Sequence, residues 1–158
     1  MFRVSMCAMD SPEQQPLGYL MYRVMSVLRP LAVAELGPLG IGLPEWICMR
    51  ILSANPGLTS ADLARNTNVS AQAMNQVLLG LEDRGVVTRR ASTPPGRPLP
   101  AQLTRNGKAL LKRAEAAIAE ADERMLTHMT AEEQRQLKQL LFKAGSRAEG
   151  QSADPVVR

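Results

Sequence analysis

Apolar residues recur along this chain at two periods, and the points where the period changes divide it into elements. Leu17, Leu20, Met21, Val24, Leu28 and Leu31 fall on one stripe at i, i+3, i+4 spacing, which predicts a helix. Pro30 lies within it, so the helix either kinks there or gives way to a second one with proline at its first position. "GPLGIGLP" (37–44) then interrupts the pattern. Pro44 opens the next helical run, with Trp46, Ile47, Met49, Ile51 and Leu52, and "NPG" (55–57) closes it. Thr59 followed by Asp62 resembles a capping box and starts a short helix to about Arg65. Thr67 and Asn68 read as a tight turn, because asparagine tolerates a left-handed backbone.

Ser70 is placed to cap the next helix, whose inner face is Met74, Val77, Leu78 and Leu81 and whose end is Gly85. The period then falls to two. "VVTRR" reads as a strand, and Leu99, Ala101 and Leu103 alternate as its returning partner. Thr104 caps a long helix reaching to about Met129, closed by His128, where a cation suits the helix end. Thr130 and Glu133 cap a last helix that ends near Gly145. Helix, turn, helix and an immediate hairpin make a winged helix. The fold class expected is mainly α with a small β-hairpin wing. The expected divisions are an irregular arm over 1–16, a helix over 17–36, a winged helix-turn-helix domain over 37–104, helices over 105–145 and a flexible tail over 146–158.

In a helix-turn-helix the second helix enters the major groove and its first residues meet base edges. With Met74, Val77 and Leu78 turned inward, that helix presents Ala71, Gln72, Ala73, Asn75 and Gln76. Glutamine and asparagine can pair with adenine through two hydrogen bonds, whereas guanine readout is expected to be weak without Arg or Lys in the first turn. The Ser70 hydroxyl and the helix amino terminus can hold a backbone phosphate. Charge supports this reading. The chain carries 19 bases and 15 acids, a formal charge of +4. Eight of the bases, Arg84, Arg89, Arg90, Arg97, Arg105, Lys108, Lys112 and Arg113, follow one another with no acid between them. A one-sided basic segment points to a polyanion such as double-stranded DNA. Arg84, Arg89 and Arg90 are candidate phosphate contacts, and Arg97, after Gly96 at the wing tip, is a candidate for the minor groove.

The two cysteines, Cys7 and Cys48, form neither a metal spacing nor a disulfide framework, which fits a reducing cytoplasm. No apolar run reaches transmembrane length, and the N-terminus lacks a signal peptide's apolar region, although Met1, Met6 and Met9 are all candidate starts. No nucleophile–base pair or metal-ligand set is visible, so neither an enzyme nor a cofactor or metal is expected. The apolar surface of the long helix exceeds what one protomer covers, and this predicts a homodimer.

The segments "LGYLMYRVMSVLRP", "LPEWICMRILSANPGLTSADLARNTNVSAQAMNQVLLGLEDRGVVTRR" and "GRPLPAQLTRNGKALL" resemble the multiple antibiotic resistance regulator (MarR) family over about residues 17–145. "LEDRGVVTRR" and "LTRNGKALL" carry most of the likeness. The resemblance implies a homodimeric transcription factor, usually a repressor of pseudo-palindromic operators, with its first, fifth and sixth helices intertwined in the dimer. It also implies possible release by a small aromatic or phenolic ligand. A crevice between the dimerisation helices and the reading domain would have Tyr22, Met25, Trp46 and Met49 as walls. Two positions depart from the family pattern. Its wing often carries Asp-x-Arg where this chain has Pro95-Gly96-Arg97, and a basic residue is common where Gln76 stands. Oxidant-sensing members use a cysteine that Cys7 does not match, and Cys48 reads as a small buried hydrophobe. An architectural DNA binder and a protein-interaction module are the alternatives.

Overall fold

The computed structural model describes Ser11 and residues 14–67, 69–89 and 100–149. Among these are six α-helices and one two-stranded antiparallel hairpin: α1 (Leu17–Leu36), α2 (Leu43–Ala54), α3 (Ser60–Thr67), α4 (Ala71–Asp83), β1 (Val87–Arg89), β2 (Ala101–Leu103), α5 (Arg105–Met125) and α6 (Ala131–Glu149). A short 3-10 turn, Gly37–Leu39, joins α1 to α2.

Local chemistry sets the helix starts. The Glu45 carboxylate accepts from the Gly42 N–H at 3.0 Å in front of α2, and Pro44 occupies its first turn, where no N–H is needed. At α3 the Asp62 N–H donates to Thr59 Oγ1 at 3.2 Å, while the Thr59 hydroxyl and N–H donate to Asp62 Oδ2 at 2.6 and 3.0 Å. Those bonds hold the Asp62 carboxyl below its ordinary range. Ser70 Oγ accepts from Ala73 N–H at 3.1 Å, and Thr104 Oγ1 from Gly107 N–H at 3.0 Å. At α6 the Thr130 N–H and hydroxyl reach Glu133 Oε2 at 2.8 and 2.9 Å and hold that carboxyl low as well.

The helix α4 ends as its glycine dictates. Gly85 has φ 66°, its N–H bonds to the Glu82 carbonyl at 2.8 Å, and the Val86 N–H bonds to the Leu81 carbonyl at 2.9 Å. This Schellman arrangement turns the chain directly into β1. In the hairpin Val87 faces Leu103, Thr88 faces Gln102 and Arg89 faces Ala101. The other edge of β2 is also used: Ala101 donates to the Leu58 carbonyl and accepts from Gly57 N–H, each at 2.9 Å. The wing is therefore tied at its base to the loop between α2 and α3.

One core joins these parts. Leu36, Met49, Leu52, Leu63, Leu78, Leu81 and Val87 are fully buried, with Ala101, Leu111 and Ala114 packed among them. Each such leucine contributes roughly 1.5–3 kcal/mol through burial. The helix α1 runs along α5, and Arg124 meets Glu35 at 2.7 Å across that contact.

Of the two readings of Pro30, the structure takes the one that keeps a single helix: Pro30 sits inside a continuous α1, where it deletes one hydrogen bond without ending the helix. Three boundaries differ from the sequence expectation. Thr67 belongs to α3, not to the turn after it, with its hydroxyl bonded back to the Leu63 carbonyl at 2.8 Å. The helix α5 stops at Met125, so His128 lies in the turn beyond and does not close the helix. Its end is sealed from α6, because the Gln134 side chain donates to the carbonyls of Leu126 and Met129, each at 3.1 Å. Finally, α6 passes through Gly145 to Glu149, into the segment expected to be tail. Ser146 Oγ donates to the Phe142 carbonyl at 2.9 Å and carries the helix across the glycine.

Candidate nucleic-acid interface

The helix α4 is anchored by Met74, Leu78 and Leu81, all buried, with Val77 half-buried beside them. A period of about 3.6 residues then turns Gln72 and Gln76 outward, one turn apart. Both are exposed, as are Ala71 and Ala73 at the start of the helix, whose first free N–H groups point along the axis past Ser70. Ser70 itself uses its oxygen as the cap, which leaves its hydroxyl hydrogen available to a phosphate.

Asn75 stands apart from the glutamines. It is half-buried on the flank toward the wing, and Arg89 Nη1 donates to its Oδ1 at 2.9 Å. Arg89 is held further by Glu82, with Nε at 2.8 Å and Nη2 at 2.7 Å from Oε2, and its side chain is only 13% exposed. Arg84 also has internal partners: Nη1 donates to the Gly40 carbonyl at 2.7 Å and Nη2 to the Leu39 carbonyl at 3.3 Å. The two arginines thus brace α4 from both sides, one against the wing and one against the turn below α1. Arg105, Lys108, Lys112 and Arg113 continue the basic run on α5, and all four are exposed. Arg90, Arg97, Asn68, Leu99 and Cys7 lie outside the described residues.

A cavity of about 380 Å³ lies behind α4, between it and α1, α2 and the end of α3. Its walls include Met25, Ile47, Val69, Ala73, Met74 and Val77, and its polar members are Arg29 and Thr67. Of the four residues that the sequence suggested for a crevice, Met25 lines this cavity. Met49 is fully buried in the core. Trp46 packs against the core with Arg50 at 5.9 Å from its ring, and its buried indole N–H has no partner among the described residues. Tyr22 projects from α1 and is 68% exposed. Arg29 was not singled out from the sequence, because only the packing of α3 and α4 against α1 brings it to a cavity.

Cys48 is buried, and its thiol is pushed up to about 12, first by burial and then by the nearby Glu45 carboxylate. Such a thiol is inert toward oxidants. Among the described residues no group of three His, Cys, Asp or Glu side chains is placed to hold a metal ion. No single described helix is long and apolar enough to cross a membrane.

Comparison with known proteins agrees with this geometry. A sequence model of the MarR family matches residues 39–98, from the turn below α1 to the wing. The HTH-type transcriptional repressor Rv2887 of Mycobacterium tuberculosis is 55% identical over 138 residues, covering 87% of this chain and 99% of that protein. The crystal structure of Rv2887 in complex with DNA superposes with a TM-score of 0.74 at 54% identity, covering 83% of this chain and 98% of that one. Its complex with salicylic acid gives a TM-score of 0.72 at 56% identity, covering 82% and 96%. A winged helix braced by Arg84 and Arg89, together with these relatives, places the chain in the MarR family.

Proposed function

We propose that this protein is a homodimeric transcriptional repressor of the cytoplasm that binds pseudo-palindromic operators in double-stranded DNA and acts by binding, not catalysis. One observation carries the reading. A Ser70-capped α4 presents Gln72 and Gln76 outward on a rigid base, beside the foot of the β1–β2 hairpin, which is the arrangement a major-groove helix requires. The DNA contacts are Ser70, Ala71, Gln72, Ala73, Asn75 and Gln76 on α4 and Arg90 and Arg97 on the wing. Arg84 and Arg89 serve the same surface by positioning α4.

The dimer follows from apolar surface left open by one chain. Leu17 and Tyr22 on α1 and Leu140 and Phe142 on α6 are each at least 66% exposed. A second copy covering α1 and α6 buries these side chains and sets two α4 helices about one DNA turn apart.

The cavity behind α4 is the effector site of this reading. Apolar walls with one cation and one hydroxyl suit a small aromatic carboxylate, the chemistry of the salicylic acid bound by Rv2887. Arg29 has no ion-pair partner among the described residues and is free to meet the carboxylate. Ala73, Met74 and Val77 couple occupancy of the cavity to the angle of the reading helix.

Fluorescence anisotropy with a duplex from the gene's own upstream region and a scrambled duplex, at several salt concentrations, tests the proposal. The expected result is salt-dependent binding that prefers the upstream duplex by roughly a thousandfold or more. Salicylate is expected to weaken it in the wild type and not in Arg29→Ala. Equal affinity for both duplexes would favour an architectural binder. A salt-independent or absent interaction would favour a protein-docking module.

A further inference from the structure

The three amides on α4 differ in what the fold leaves them free to do. Gln72 and Gln76 have no side-chain partner among the described residues, so each can donate and accept. Asn75 has its oxygen engaged by Arg89 Nη1 at 2.9 Å. A guanidinium carries donors only, so the Asn75 atom facing it must be the amide oxygen. Chemistry therefore fixes which way the amide is turned. Arg89 cannot swing aside to release it, because Glu82 holds its other two nitrogens at 2.8 and 2.7 Å and the side chain is largely buried. With its oxygen turned toward Arg89 and one of the two Oδ1 lone pairs taken, the end of Asn75 left wholly unengaged is its Nδ2 group, two hydrogens with no protein partner among the described residues.

An asparagine that pairs with adenine needs both ends of its amide: Nδ2 donates to N7 and Oδ1 accepts from the N6 amino group. Here the accepting end is turned toward Arg89, with one of its two lone pairs already taken. We infer that Asn75 reads DNA chiefly as a donor, held in that orientation by Arg89, and that it selects a base edge presenting acceptors, guanine N7 and O6 first, over adenine. At adenine the N6 amino group would face the Asn75 amino group, donor against donor. The guanine preference thus arises on a helix whose first turn has no Arg or Lys. Arg89 is the positioning residue that creates it. This inference rests on the proposed DNA-binding function and goes beyond it by naming the base class that one residue reads.

Selection from a randomised duplex library with the full-length protein tests it. Asn75→Asp is the informative variant. Its carboxylate keeps Arg89 as a partner, so the brace survives, but both donated hydrogens are lost. The wild type is expected to enrich a two-fold symmetric motif with a guanine in each half-site that Asn75→Asp no longer requires, a loss of roughly tenfold in discrimination at that base pair. Asn75→Ala is expected to relax the same position and Gln72→Ala a different one. Arg89→Lys, which cannot hold Glu82 and Asn75 together, is expected to admit adenine beside guanine there. Thermal melting of Asn75→Asp at the wild-type temperature separates altered reading from misfolding. Retention of every wild-type preference in Asn75→Asp and Asn75→Ala would overturn the inference. So would an adenine requirement at the position those variants release. A wild type that enriches a motif keeps the DNA-binding function even if Asn75 fails these tests, whereas one that enriches no sequence overturns both.

Discussion

Replacing Gly107 by alanine tests the joint from which the wing projects. Gly107 lies in the first turn of α5, directly against the backbone that enters β1. A Cβ at this position would stand 2.1 Å from the Val86 carbonyl oxygen, 3.1 Å from its carbon and 3.2 Å from Leu103 Cδ2. The oxygen cannot simply retreat, because it accepts from Thr104 N–H at 3.0 Å and from the Thr104 hydroxyl at 3.2 Å. Thr104 in turn caps α5 through Gly107 itself. Relieving the clash therefore moves the cap, β1 and the start of α5 together. Overpacking costs about 1–3 kcal/mol and sometimes more, and a contact with backbone belongs at the upper end. The gain in helix propensity from glycine to alanine, up to about 1 kcal/mol, offsets part of it. The net loss is ~2 kcal/mol or more, which lowers Tm by roughly 4–8 °C for a chain of this size. Gly80 on α4 supplies the control. A Cβ there meets nothing within 4 Å, so Gly80→Ala is expected to raise stability by up to about 1 kcal/mol. Calorimetry at equal chain concentration reads both. A Gly107→Ala protein as stable as Gly80→Ala would show that propensity alone governs the site and would refute the packing argument.

Removing the Arg84 guanidinium takes away its bonds to the Gly40 and Leu39 carbonyls, so Arg84→Ala is expected to lose about 1 kcal/mol in urea unfolding, discounted for exposure. Arg84→Lys should recover less than half of that, since an ammonium cannot fork across two carbonyls, and full recovery would refute the bracing role. Cys48 supplies a pH test. Its folded pKa of about 12 lies above the unfolded value of 9.0, so its stabilising contribution is complete below about pH 9 and drains as pH rises toward 12. In a Cys7→Ser background no thiol should react with Ellman's reagent at pH 8. Stability should also fall more steeply from pH 9 to 10.5 than in the matching Cys48→Ala protein, and equal slopes would count against the burial effect.

Much of the fold was legible because its signals are local. Ser70, Thr104, Thr130 with Glu133, and Thr59 with Asp62 each cap the helix that their spacing suggests, within three residues of the groups they bond. Gly85 ends α4 because its left-handed backbone is a property of that one residue. The errors arise where a partner from another element decides. The end of α5 is set by the Gln134 amide on α6, eight residues beyond the carbonyl of Leu126 that it reaches. No periodicity within α5 could report it. Gly145 failed as a stop because a glycine ends a helix only when its backbone turns left-handed, and here it does not.

The site was legible in its elements and opaque in its bonds. Reading Arg84 and Arg89 as phosphate contacts rests on charge, and charge says nothing about what a cation already touches. Arg84 finds its carbonyl partner 44 residues upstream, and Arg89 finds one partner seven residues upstream and the other fourteen. Such bonds exist only after α4 has docked on the turn below α1 and β1 has turned back along α4. They also change what neighbouring residues can say to DNA. An asparagine read from sequence alone can turn either end of its amide outward, and the Arg89 bond turns the oxygen inward. Specificity on this helix therefore depends on which side-chain atoms the fold has already engaged, as well as on the side chains that face outward.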